Sequence, residues 1–66
     1  MRLTINGEPR DLTDVDTIDG LIAALGLPPE RVAVEHNGAI VRRPERASAQ
    51  VKDGDTLEIV TLVGGG

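Results

Sequence analysis

Polar and apolar residues alternate over Arg2-Leu3-Thr4-Ile5, the period of two that gives a strand one buried face. Asn6-Gly7 follows at once, and this step tolerates positive φ at both positions, which predicts a two-residue hairpin turn. The return strand is expected from Glu8 to Leu12 or Thr13, at a sheet edge because Pro9 has no ladder donor. Asp14-Val15-Asp16-Thr17 then offers short polar side chains suited to capping a helix. Ile18, Leu21, Ile22 and Leu25 fall at i, i+3, i+4 and i+7, one apolar stripe of a helix of about two to three turns. Asp16 and Asp19 complement the positive end of its dipole. Gly26 supplies a left-handed terminus, and Pro28-Pro29 forbids continuation. So short a helix does not persist alone. It must pack on a sheet.

Alternation returns over Arg31 to His36, with Val32 and Val34 on one face, and a second Asn-Gly at Asn37-Gly38 leads into Ala39-Ile40-Val41. Arg42 to Gln50 is polar and irregular, and Lys52-Asp53-Gly54-Asp55 reads as a turn. Thr56 to Val63 is the last expected strand, with Leu57 and Ile59 on one parity and Glu58, Val60 and Leu62 on the other. The order hairpin, helix, shorter strands, final strand predicts an α+β fold with one helix laid across a small mixed sheet. The first and last strands are the most apolar and are expected at its centre.

Composition sharpens this picture. The chain has 66 residues, no Cys and no Phe, Trp or Tyr, so its core must rest on Leu, Ile, Val and Ala. A chain of this size is one domain, and a domain this small buries only about 60% of its unfolded surface. No disulfide framework or Cys-based zinc site can support it. No apolar run approaches the ~18 residues of a membrane helix, and no signal-peptide pattern follows Met1-Arg2. A cytoplasmic protein that is monomeric when free and binds no membrane is expected. Seven basic and 11 acidic residues give a net charge of −4, which disfavours nucleic acid as a partner. Arg42, Arg43 and Arg46 form the local exception. They are either a solvated loop or a charged rim for a protein partner.

No catalytic constellation emerges. Ser48, Lys52 and His36 have no spacing that unites them as nucleophile and base. His36, just before a turn, reads as a strand-end surface residue. Asp53-Gly54-Asp55 lacks the ligand series of a calcium loop, and no metal site is expected. Gly64-Gly65-Gly66 is no phosphate loop, because no helix follows it. These glycines are either a frayed tail or a device. Three extended residues reach roughly 10 Å, and without Cβ atoms they can thread a channel too narrow for any side chain. Their carboxylate is unhindered, suited to attack on an ATP phosphate.

The whole chain resembles the thiamine-biosynthesis sulfur carriers, the ThiS family of ubiquitin-like β-grasp proteins. The resemblance is carried by Asn6-Gly7, the stripe Ile18-Leu21-Ile22-Leu25, and Val32-Ala33-Val34-Glu35 through Asn37-Gly38 to Ile40-Val41. It continues through Asp53-Gly54-Asp55, Leu57-Glu58-Ile59-Val60 and the closing glycines. The chain departs from the family pattern at Arg42-Arg43, before Pro44, and at Arg46-Ala47, near where the family often has Trp. The resemblance implies a protein co-substrate rather than an enzyme, with no permanently bound cofactor. An E1-like adenylyltransferase would use ATP and Mg²⁺ to adenylate the Gly66 carboxylate. A persulfide supplied through a cysteine desulfurase would convert it to a thiocarboxylate, and thiazole synthase would take the sulfur. Gly64 and Gly65 would give the tail its slim approach. Val60 and Leu62 would form a docking patch if Leu57 and Ile59 face the helix, rimmed by Arg42, Arg43 and Arg46. A carrier serving molybdopterin synthesis, tRNA thiolation or cysteine synthesis, or a ubiquitin-like modifier, shares these features.

Overall fold

The computed structural model describes residues 1–62. Five strands form one sheet: β1 (Arg2–Ile5), β2 (Glu8–Asp11), β3 (Val32–His36), β4 (Ala39–Val41) and β5 (Thr56–Thr61), in the order β2-β1-β5-β3-β4. The helix α1 (Ile18–Ala24) lies between β2 and β3 in the chain. β5 is central, parallel to β1 and antiparallel to β3, while the hairpins β1–β2 and β3–β4 place β2 and β4 at the edges. Pro9 accordingly sits on an edge strand. β2 ends at Asp11, short of Leu12, and β5 ends at Thr61. Val63 and Gly64–Gly66 lie outside the described residues.

Strand parity selects the core. Leu3 and Ile5 of β1, Val32 and Val34 of β3, and Leu57 and Ile59 of β5 point to one face and meet Ile18, Leu21 and Ile22 of α1. Each such side chain contributes about 1.5–3 kcal/mol on burial. Thr17 caps α1, its Oγ1 accepting from the Gly20 N–H at 3.1 Å. Gly26, at φ +71°, closes α1 with bonds from its own N–H to Ala23 O and from the Leu27 N–H to Ile22 O. That paired arrangement satisfies two terminal carbonyls and needs the left-handed residue. Among the described residues no helix is long and apolar enough to cross a membrane.

Both Asn-Gly steps form the expected turns, with φ of +53° and +82° at Asn6-Gly7 and +50° and +86° at Asn37-Gly38. Each asparagine also grips β5. Asn6 Nδ2 donates to Ile59 O at 2.9 Å while its Oδ1 accepts from the Ile59 N–H at 2.7 Å. Asn37 Oδ1 accepts from the Thr56 N–H at 2.8 Å. The central strand is held from both sides by side chains that sequence reading assigned only to turns.

The segment read as irregular is part of the body. Two 3₁₀ turns, Pro29–Arg31 and Arg43–Glu45, flank the second hairpin, and Thr17 and Gln50 form an isolated antiparallel bridge. The start of α1, where Ile18 is fully buried, needs partners for its first N–H groups. Ala49 O accepts from Ile18 and Arg46 O accepts from Asp19. Val51 and Val15, absent from the helical stripe and from the strand parities, are both buried in the core.

Candidate functional site

β5 carries the chain from the middle of the sheet toward the glycine tail. Its face away from the helix presents Glu58 and Val60, and Leu62 follows the strand. Val60 and Leu62 are each 56% exposed, and the Leu62 N–H donates to Arg31 O at 2.6 Å. Ile40 of β4 is 70% exposed. Register places Ile40 opposite Glu35, Glu35 opposite Glu58, and Ala33 opposite Val60. Ala33, Val34, Glu35, Ile40, Glu58 and Val60 line a shallow depression of about 130 Å³. The expected patch of Val60 and Leu62 therefore exists as exposed apolar surface, and Ile40 enlarges it. Ile40 escaped sequence reading because only strand register, not parity within one strand, brings it beside β5's residues.

The arginine cluster divides. Arg42 is exposed and follows the edge strand β4. Arg43 instead lines a groove against the helix with Asp19, Ile22 and Ala23, on the opposite side from Val60. Arg46 is only 4% exposed and is not a rim residue. Its Nη1 donates to Pro29 O at 2.8 Å and its Nη2 to Val32 O at 2.6 Å. Those bonds clip the first 3₁₀ turn and the start of β3 to the segment after β4. A charged donor strengthens both. Grouping three arginines as one charged rim is thus corrected for Arg43 and Arg46. A run of like charges looked solvated, but the chain's path carries one of them inward.

His36 is not a bare surface residue either. Its Nε2 lies 2.7 Å from Asp55 Oδ2, and both side chains are largely covered. Asp55 also accepts from the Lys52 N–H at 2.8 Å and from Asn37 Nδ2 at 3.2 Å. Burial pushes the Asp55 carboxyl up, but the bonds from His36, Lys52 and Asn37 together outweigh it and hold the group below the ordinary carboxylate range. A carboxyl lowered on folding stabilises the fold fully above its unfolded pKa of about 3.9, and that contribution is lost as pH falls through the lower folded value. The prediction is that urea unfolding shows Asp55→Asn less stable than the unmodified protein at pH 7. The difference narrows below about pH 4. An undiminished gap at pH 2.5 would show that the Asn side chain strains the turn instead. The exposed pair Arg2–Asp11, at 3.2 Å, is screened by water and contributes little.

The ThiS family model matches residues 3–66, almost the whole chain and through the terminal glycines. The chain belongs to the ThiS family. The crystal structure of the thiamine biosynthesis protein ThiS from Geobacter metallireducens shares the fold at a TM-score of 0.83, with 36% identity and full coverage of both chains. An uncharacterized protein, ycf40, of Porphyra purpurea is 38% identical over 97% of this chain and 90% of its own length. Two proteins named thiazole synthase match all of this chain, that of Paramagnetospirillum magneticum at 46% identity and that of Magnetococcus marinus at 39%. This chain spans only 20% of the length of each. The β-grasp arrangement of a mixed five-stranded sheet and one helix is therefore the ThiS fold, as the sequence resemblance implied. The tail positions Gly64, Gly65 and Gly66 fall within the ThiS match but outside the described residues.

Proposed function

We propose that this protein is a sulfur carrier of thiamine biosynthesis, acted on by other enzymes rather than an enzyme itself. The observation that carries the reading is the ThiS match running through Gly66, on a fold that matches a ThiS structure over the whole chain. The Gly66 carboxylate attacks the α-phosphorus of ATP on an E1-like adenylyltransferase, releasing pyrophosphate and forming an acyl-adenylate. Mg²⁺ neutralises the phosphate charge. A persulfide sulfur, drawn from cysteine by a desulfurase, attacks the acyl carbon and displaces AMP. A second thiol then attacks the donor's sulfur in the resulting acyl disulfide, forming a disulfide with the donor and releasing the thiocarboxylate. Thiazole synthase takes that sulfur in exchange for one oxygen, from its acceptor substrate or from water, which restores the carboxylate.

The body's part is presentation. Gly64 and Gly65 bring the carbonyl through a channel that side chains would block. Val60 and Leu62, with Ile40 beside them, supply apolar surface for docking, and Arg42 stands by the edge strand as a charged contact. The two thiazole synthases that contain a segment similar to this whole chain support a partnership with that enzyme. The reading requires a free α-carboxylate at Gly66. Reconstitution with adenylyltransferase, desulfurase, cysteine, Mg·ATP, a thiol reductant, and thiazole synthase supplied with the carbon and nitrogen precursors of the ring tests it. Thiazole product is expected only when this protein is added. Equal product without it would refute the role.

A further inference from the structure

The geometry points to a receptor for one arginine of a protein partner on the open sheet face, formed by Glu35 and Glu58 within a collar of Ile40 and Val60. This rests on the docking role proposed for that face. Glu35 and Glu58 are directly opposite each other on antiparallel strands, so their Cβ atoms stand about 4.5–5.5 Å apart. Like charges in that relation destabilise a sheet. The same sheet shows the matched alternative: Arg2 and Asp11 are opposite partners on β1 and β2 and form an ion pair. Among the described residues neither Glu35 nor Glu58 forms an ion pair. Glu35 is half-buried, which raises the cost of its unshared charge.

What surrounds the pair defines the occupant. Ile40 lies across from Glu35 on β4, and Val60 follows Glu58 along β5 at the next outward position. The depression these residues share, about 130 Å³, opens between them. A flat, weakly hydrated guanidinium can donate to both carboxylates while its stem packs on the two apolar side chains. An ammonium is more strongly hydrated and lacks that planar fork.

The test uses the full chain, Glu35→Gln/Glu58→Gln, and titration calorimetry against the E1-like adenylyltransferase and thiazole synthase at low and high salt. We expect the double variant to bind at least one enzyme about tenfold more weakly at low salt. Its binding should also depend less on salt, and its thermal unfolding temperature should equal or exceed the parent's because the repulsion is gone. Unchanged affinity for both enzymes overturns the receptor while leaving the carrier reading intact. If the unmodified protein binds neither enzyme, both fall. A lower unfolding temperature for the variant overturns the like-charge argument. Self-association of the parent in sedimentation, lost in the variant, would make a second copy the occupant and also overturn it. So would stabilisation of the parent, but not the variant, by millimolar MgCl₂ alone.

Discussion

Deleting Gly66, or adding one alanine after it, is expected to abolish sulfur acceptance and leave the unfolding temperature of the protein unchanged. The two effects separate because they live on different parts of the chain. The buried core runs from Leu3 to Ile59, and the strand that ends it stops at Thr61. Among the described residues the core ends at Ile59, seven positions before Gly66. The proposed chemistry depends on it entirely, since adenylation needs a carboxylate at a fixed reach from the docked body. An added residue moves that group by roughly 3.5 Å and puts a Cβ beside it. Displacements of 1 Å are already felt in reactions that rely on positioning. The loss should therefore exceed a hundredfold in the rate of thiazole formation. Retained thiazole formation by either variant would place the reactive group elsewhere.

Leu57→Ala should bring the protein close to unfolding. Leu57 is fully buried on the central strand, opposite Ile5 on one side and His36 on the other. Its carbonyl also accepts the Asn6 N–H at 2.8 Å. Truncating a buried leucine costs about 2–5 kcal/mol through lost burial and the cavity left behind. A domain of this length has only about 3–10 kcal/mol in total. With no aromatic side chain nearby to swing into the space, little relaxation is available. Val60→Ala, on the open face of the same strand, should cost less than about 1 kcal/mol. Urea unfolding of the pair measures the contrast. Similar losses at both positions would mean that the helix does not seal this face of the sheet.

The helix, both Asn-Gly turns and the inward parities of β1, β3 and β5 were legible in the sequence because each depends on neighbours in the chain. The period of Ile18, Leu21 and Ile22 and the left-handed Gly26 are local properties. Val15, Val51 and Arg46 were not legible, because they are fixed by where the segment from Pro44 to Val51 crosses the start of the helix. That segment has no period of its own. It follows the demand of the Ile18 and Asp19 N–H groups for acceptors, a need of the folded helix. The second role of Asn6 and Asn37 was hidden for the same reason: a side chain bound to β5 requires the long-range pairing of β5. At the candidate site, Val60 and Leu62 followed from parity. Ile40 and the Glu35–Glu58 opposition needed the register between strands. The tail glycines are visible in the sequence and fall within the ThiS match, while their chemistry stands as a proposal.

The most direct measurement is the intact mass of this protein after incubation with the E1-like adenylyltransferase, Mg·ATP, cysteine and a desulfurase, followed by mild reduction and fragmentation. Exchange of one oxygen for one sulfur is expected, confined to the fragment that ends in Gly66 and dependent on ATP. An unchanged mass under conditions where the adenylyltransferase sulfurates another carrier, or sulfur located anywhere but Gly66, would contradict it.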